Sequence, residues 1–431
     1  MVIRRDKYLD RLIQRMNNGL TKIITGIRRC GKSYLLNELF YNYLLSIGIR
    51  QDHILRFAFD STDDLMRIDE GDVLFGNTKR KVDPKKFVSY LYSLIKDDDT
   101  YYILLDEVQL LGNFEMVING FMRKKNLDIY VTGSNSKFLS SDIITEFAGR
   151  GDEIHVLPLS YSEFYAAYSG KKEEALDEYL TYGGLPAVSS TMHTKEQKMT
   201  YLQTQTTNVY LRDIIQRYNL KNADGLNDLL NLLSSGLACL VNPSKLENTF
   251  KSEKRITLTA PTIDRYIDYF EDSFLTKRAY RYDIKGKKYI NSPYKIYFED
   301  LGLRNAQLNF RQTEASHLME NAIYNELRYR GFNVDVGIVE TREKDNAKDV
   351  RKQREVDFVA NKGNARYYIQ SALSISSEEK WEQETLGFDK INDSFKKILI
   401  VRSNILPKIN EKGYVVINIE QFLLDENSLD L

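Results

Sequence analysis

Gly26-Ile27-Arg28-Arg29-Cys30-Gly31-Lys32-Ser33 constrains this chain more than any other stretch, because G-x-x-x-x-G-K-[ST] has a folded meaning only between a strand and a helix. Both flanks are present. Thr21–Thr25 reads as a short apolar strand, and Gly31–Ile47 as a helix with Leu35, Leu36, Leu39, Phe40 and Leu44 at helical spacing. The glycines let the backbone curl so that successive N–H groups and the helix N-terminus face a phosphate. Residues 26–34, ending at Tyr34, are therefore the expected nucleotide cradle. Lys32 is placed to reach the β- and γ-phosphates and Ser33 to ligate Mg²⁺.

Tyr101-Tyr102-Ile103-Leu104-Leu105-Asp106-Glu107 supplies the partner motif, a buried strand ending in two carboxylates. Asp106 is expected to hold Mg²⁺ through water, and Glu107 to polarise the attacking water as general base. Tyr130-Val131-Thr132-Gly133-Ser134-Asn135 puts small polar residues at another strand end. Ser134 or Asn135 is a candidate to sense the γ-phosphate or position water, although an Asx-type turn explains the same residues. Arg150, just before a further strand, is a candidate charge-stabilising arginine from its own or a neighbouring subunit. An ordinary surface arginine is the alternative. No guanine-reading N/TKxD motif follows Asp106, which favours ATP as the nucleotide.

At a prior of roughly 150 residues per domain, 431 residues make about three domains. Lys plus Arg equals Asp plus Glu, so no global field draws the chain to nucleic acid or an anionic membrane. Cys30 and Cys239 form no disulfide framework, and four dispersed histidines make no zinc pattern. The N-terminus lacks an apolar signal core, and no run of about 18 apolar residues is present. A cytoplasmic protein without a membrane segment is expected.

The pattern along the chain predicts an α/β protein. Apolar runs alternate with amphipathic stretches to about residue 168, as in a parallel sheet covered by helices. Residues 169–222 read as a helical linker or lid, broken by the turn Tyr182-Gly183-Gly184-Leu185-Pro186. Over 223–312 the helix Thr262–Phe274 and the hairpin Lys277–Phe298 suit a winged-helix module. Residues 313–431 form a second α/β domain, with a helix over Met319–Arg330 and strands around 334–339, 354–360, 366–371 and 397–401. The helix that would read DNA carries Asp264, Asp268, Glu271 and Asp272 against Arg265, a poor composition for a major groove. The hairpin differs. Lys277, Arg278, Arg281, Lys285, Lys287 and Lys288, interleaved with Tyr280, Tyr282 and Tyr289, make it a candidate for non-specific DNA contact, or else a solvated wing.

"GIRRCGKS" (26–33), "LLDEVQ" (104–109), "VTGSNSKFLS" (131–140), "FAGR" (147–150), "LPLSYSEF" (157–164), "YGGLP" (182–186), "YLRDI" (210–214) and "KIYFEDLGLRNA" (295–306) follow one another in order. In this the chain resembles, over essentially its whole length, the bacterial and archaeal AAA-like ATPases that carry a domain of unknown function, DUF4143, behind the ATPase module. The resemblance implies an AAA-type core, a winged helix and a C-terminal domain related to the restriction-endonuclease fold. In such endonuclease sites an acid on a helix, an Asp on a strand and Glu/Gln-x-Lys on the next strand hold Mg²⁺ and activate water. Glu320, Asp357 and Gln370 match the first three positions, but Ala372 stands where the lysine belongs. That departure favours a scaffold over an active nuclease. Lys352, Arg354 and Lys380 are nearby in sequence as substitutes.

The leading expectation is a Mg²⁺-dependent ATPase working as a nucleotide-driven switch or small motor, with homo-oligomerisation among its partner states. An ATP-regulated nuclease and a non-hydrolysing ATP-binding platform are the alternatives.

Overall fold

Short strands that are apolar on both faces belong in the middle of a covered parallel sheet, and the first strands are of this kind. A computed structural model describes residues 3–75, 81–133, 149–220, 223–254, 258–311, 314–345 and 348–431. It divides the chain into two units, Met1–Pro158 with Asp272–Phe274, and Leu159–Glu271 with Leu275–Leu431.

The first unit is built on five strands: β1 (Thr21–Thr25), β2 (Ile54–Ala58), β3 (Tyr101–Asp106), β4 (Leu127–Thr132) and β5 (Gly151–His155). All neighbours pair in parallel, in the order β2-β3-β4-β1-β5. β1 and β3 are buried at every position. On one face Phe57, Phe59, Phe87, Ile103, Leu105, Ile118 and Phe121 share a core, each burial of this size worth roughly 1.5–3 kcal/mol. From β1 the chain crosses to the far edge and returns through β3 and β4, then passes to the other side of β1. That reversal leaves a crevice beyond the carboxyl ends of the strands, where ligands of open α/β sheets bind.

In the second unit, nine strands make a single sheet: β6 (Leu240–Val241), β7 (Thr276–Asp283), β8 (Lys288–Phe298), β9 (Asn333–Asp345), β10 (Lys348–Lys362), β11 (Ala365–Ala372), β12 (Lys396–Val401), β13 (Lys408–Ile409) and β14 (Val415–Asn418). The order is β13-β14-β12-β11-β10-β9-β7-β8-β6. The basic hairpin β7–β8 is thus part of the C-terminal sheet. β7 pairs in parallel with β9, and Ile284 at the hairpin turn packs with Val339, Val356, Val359 and Tyr368. The boundary expected at 312–313 therefore separates strands that share a sheet.

The 182–186 turn in this unit is locked to a segment far along the chain. Gly183 has φ +74°, and a Cβ there would overlap the Asp300 carboxylate. Asp300 is buried; its Oδ2 accepts from Gly184 N–H at 2.8 Å, and its Oδ1 caps the helix Leu301–Gln307 through Leu303 N–H at 2.9 Å. Asn305 Nδ2 donates to the Leu180 and Thr181 carbonyls, both at 2.9 Å. Among the described residues, no helix is long and apolar enough to cross a membrane.

Candidate functional site

The cradle leaves β1 at Gly26 with φ +138°, and a Cβ there would overlap the Val156 carbonyl oxygen, so only glycine fits the approach to the chain after β5. Arg29 (φ 66°) and Gly31 (φ 101°) also take left-handed backbone, which curls the loop. Ile27 and Cys30 are fully buried, and Cys30 Sγ donates to Val156 O at 3.2 Å. Arg5, before the first helix, anchors the loop from outside the motif. Its guanidinium donates to Cys30 O at 3.0 Å and Leu157 O at 2.6 Å. Lys32 Nζ lies within the loop, donating to Gly26 O at 2.9 Å and Ile27 O at 3.0 Å. The helix opens at Lys32–Tyr34, passes through a π-helical stretch Leu35–Phe40 and closes over Tyr41–Ser46.

Asp106 ends β3 only 5% exposed. Its Oδ1 accepts from Thr132 Oγ1, its Oδ2 from Asn37 Nδ2 at 3.2 Å, and the Ser33 hydroxyl donates to it as well. Burial pushes its carboxyl up, while the bonds from Thr132 and Ser33 oppose the shift. Glu107 turns into left-handed backbone (φ 52°); its N–H donates to Thr132 Oγ1 at 3.1 Å, and its carboxylate accepts from Gln109 Nε2. Asp60, just past β2, completes an acidic rim. Partial burial pushes it up, and the fields of Asp106 and Glu107 add to the shift, against Arg28.

The structure therefore brings Lys32, Ser33, Asp106 and Glu107 together around residues 26–34. Asn135, with Ser134, lies outside the described residues. Thr132, two positions before Ser134, is the β4 residue that touches Asp106. Arg150 is not brought to this site. It precedes Gly151, which pairs with Thr21 at the opposite end of β1 from the loop, about 15 Å away along the strands at ~3.3 Å per residue. Arg5, Asn37, Asp60, Thr132 and Gln109 carry no signal of their own in the sequence; each is a single polar residue within or beside an apolar element, a pattern too common to flag alone.

In the second unit Glu320, Asp357 and Gln370 also converge, with a lysine that sequence spacing did not suggest. Lys295 Nζ on β8 lies 2.8 Å from Glu320 Oε1, 2.7 Å from Glu355 Oε1 and 3.8 Å from Asp357 Oδ1. Burial, reinforced by the field of Glu320, holds the Asp357 carboxyl well above the usual range. None of Lys352, Arg354 and Lys380 is among the partners of Glu320 or Asp357.

Two of the six hairpin cations are not available to DNA. Arg278 is buried and paired with Asp268 at 2.7 Å and with Glu271. That pairing accounts for the acidity of the helix beside it. Arg281 is buried and bonds Gln353 at 2.6 Å. Lys277, Lys285, Lys287 and Lys288 remain exposed.

Over 404 residues the chain is 33% identical to an uncharacterized protein of Haemophilus influenzae, covering 93% of each sequence. The chain belongs to that protein's family. Residues 18–165 match the model of the AAA domain, so the five-stranded unit with its cradle is an AAA domain, as the sequence resemblance implied. Behind the AAA domain, residues 173–314 match Domain of unknown function DUF8612; the resemblance had named a different domain, DUF4143, and for the C-terminal residues 313–431. An uncharacterized protein of Methanocaldococcus jannaschii is 26% identical over 440 residues, 97% of this chain and 89% of that one. Among solved structures, a Walker-type ATPase of Pyrococcus abyssi overlaps with a TM-score of 0.48 at 14% identity, over 71% of this chain and 96% of that one. The Aeropyrum pernix ORC1 protein in complex with DNA overlaps with a TM-score of 0.30 at 13% identity, over 71% and 92%.

Proposed function

We propose that the chain is a Mg²⁺-dependent ATPase whose nucleotide state is read by its second unit. One observation carries this reading: the Ser33 hydroxyl and the Asp106 carboxylate meet beside a loop that already encloses the Lys32 ammonium. Ser33 directly, and Asp106 through water, would hold Mg²⁺, which supplies charge neutralisation on the phosphates. A cation also offsets the cost of burying Asp106. Lys32 exchanges its bonds to Gly26 and Ile27 carbonyls for β- and γ-phosphate oxygens. Glu107, held by Gln109 and Thr132, takes the proton of the water that attacks the γ-phosphorus. The test is phosphate release by the purified protein with and without Mg²⁺; no Mg²⁺-dependent release from ATP would end the proposal.

Readout by the second unit is supported by the chain that follows β5. Val156 O bears on Gly26 and Cys30, while Leu159 N–H donates to Gly184 O at 2.8 Å and Gly184 N–H reaches Asp300. Three residues of backbone thus join the cradle wall to the locked turn.

Arg150 stands at the strand end away from its own cradle, and we assign it to a neighbouring copy's nucleotide. Arg150→Ala is then expected to cut turnover by a factor on the order of 10³ without altering ATP affinity. Mixing it with Lys32→Ala chains should restore part of the rate. No recovery on mixing would refute action across a subunit boundary.

Non-specific DNA contact, if made by the hairpin, falls to Lys277, Lys285, Lys287 and Lys288. Changing the last three to Gln is expected to flatten the log-affinity against log-salt slope by about 3, in a filter-binding titration. An unchanged slope would remove the hairpin as a DNA contact.

A further inference from the structure

The endonuclease resemblance implies a divalent cation among Glu320, Asp357 and Gln370, and the side chains present do not fit one. A carboxylate-bound Mg²⁺ needs oxygens free to approach within about 2.1 Å. Glu320 Oε1 already accepts from Lys295 Nζ at 2.8 Å and from Tyr297 OH at 2.6 Å. Asp357 Oδ2 accepts from Ser371 N–H at 2.8 Å, and its Oδ1 faces the Lys295 ammonium at 3.8 Å, so a metal at that oxygen would meet a like charge. Gln370 is turned to other work, its Oε1 accepting from Asp357 N–H at 3.3 Å and its Nε2 donating to Glu384 at 3.2 Å. Instead, the pocket contains a positive charge supplied by the chain itself. The Lys295 side chain is 5% exposed, and those of Glu320 and Asp357 are 11% and 10% exposed. An ammonium so enclosed persists only when carboxylates surround it.

We infer that Lys295 is the resident cation of this pocket, standing where the endonuclease pattern would place a divalent metal. The lysine missing at position 372 is replaced in charge by one on β8, and its function changes with its position. Its ammonium ties the helix Ala315–Tyr329, through Glu320, and β10, through Glu355 and Asp357, to the hairpin strand. This adds a side-chain tie to the backbone pairing of β7 with β9 that puts hairpin and C-terminal strands in one sheet. It also gives the buried acids a structural purpose in place of phosphodiester cleavage. The inference is independent of the ATP site.

The experiment compares Mn²⁺ binding, read from the electron paramagnetic resonance of the free ion, and thermal melting in nucleotide-free protein. Wild type and Asp357→Asn are expected to bind equal amounts of Mn²⁺, because the metal finds no place beside Lys295. Lys295→Gln should melt lower and gain one Mn²⁺ per chain, at least tenfold tighter than any wild-type site, and Mn²⁺ should raise its melting temperature. Adding Asp357→Asn to it should abolish the gain. Mn²⁺ lost from wild type on Asp357→Asn would overturn the inference by showing metal beside the lysine. So would a folded Lys295→Gln that neither melts lower nor gains Mn²⁺. If Lys295→Gln does not fold, refolding with Mn²⁺ or adding Glu355→Gln should recover a melting transition, and recovery by neither would equally overturn it.

Discussion

Lys32→Ala is expected to hydrolyse ATP about a thousandfold more slowly than wild type, whereas Glu107→Gln should lose a comparable factor and still bind the nucleotide. The two losses differ in kind. Lys32 carries the positive charge inside the cradle, where Nζ lies within 3.0 Å of two loop carbonyls; without it, phosphate charge is less well compensated in both the bound state and the transition state. ATP affinity should therefore fall with the rate. Glu107 contributes a proton acceptor, worth on the order of 10²–10⁴-fold. Glutamine keeps its shape and its contact with Gln109 while removing one negative charge from the rim formed with Asp60 and Asp106. Affinity should hold or improve while turnover collapses. Steady-state phosphate release and equilibrium titration with a fluorescent ATP analogue separate the two effects. Normal hydrolysis by Lys32→Ala would remove the proposed site. Wild-type release at background level, with tight ATP binding, would leave a nucleotide-binding platform in place of an enzyme.

How much of this was legible in the sequence depends on how far apart the cooperating residues lie. The cradle is contiguous, and its strand and helix were read to within a few residues, because glycine spacing and apolar period are local signals. Asp106 and Glu107 were legible because a fully buried strand ending in two acids is uncommon beside such a loop. Thr132 was not. Its value comes from strand order, since β4 lies between β1 and β3 and puts its last residue against Asp106, and strand order leaves no mark on a single strand's composition. Arg5 is a similar case, bonding across 152 residues to Leu157. The hairpin cations could be counted from the sequence but not sorted into buried and exposed. Arg278 faces its acidic helix, while Lys285, Lys287 and Lys288 do not pack into the sheet. Lys295 was missed for the same reason as Thr132. One lysine in an apolar strand reads as a solvated edge until the helix and the acids of β10 are placed around it.

Asp300→Ala is expected to cost about 3–5 kcal/mol, because it strands buried amides of Gly184 and Leu303 at about 1–3 kcal/mol each. That is a large share of the roughly 5–15 kcal/mol that holds a domain together. Asp300→Asn should be milder, since one acceptor survives. Its pH dependence is the sharper test. Burial pushes the Asp300 carboxyl up to about 6, against the pull of the amides of Leu303, Gly184, Gly302 and Leu185. A carboxyl whose folded value lies above its unfolded value of about 3.9 makes the folded state bind the extra proton. The associated stability is complete below about 3.9 and is lost as pH rises through about 6. At 1.36 kcal/mol per unit the swing is roughly 3 kcal/mol. Urea unfolding at pH 5 and pH 7.5 should show wild type losing stability over that interval by more than Asp300→Asn, which has no such proton to lose. Equal pH slopes in the two proteins would refute the assignment. The same variant probes the proposed coupling of nucleotide state to the second unit. Asp300 belongs to the second unit and touches none of the cradle residues by the bonds described, so folded Asp300→Asn should bind ATP normally. If the backbone from Val156 to Gly184 carries nucleotide state between the units, its turnover will nonetheless change. Unaltered kinetics in a protein whose turn has been loosened would leave the ATPase standing and remove the coupling.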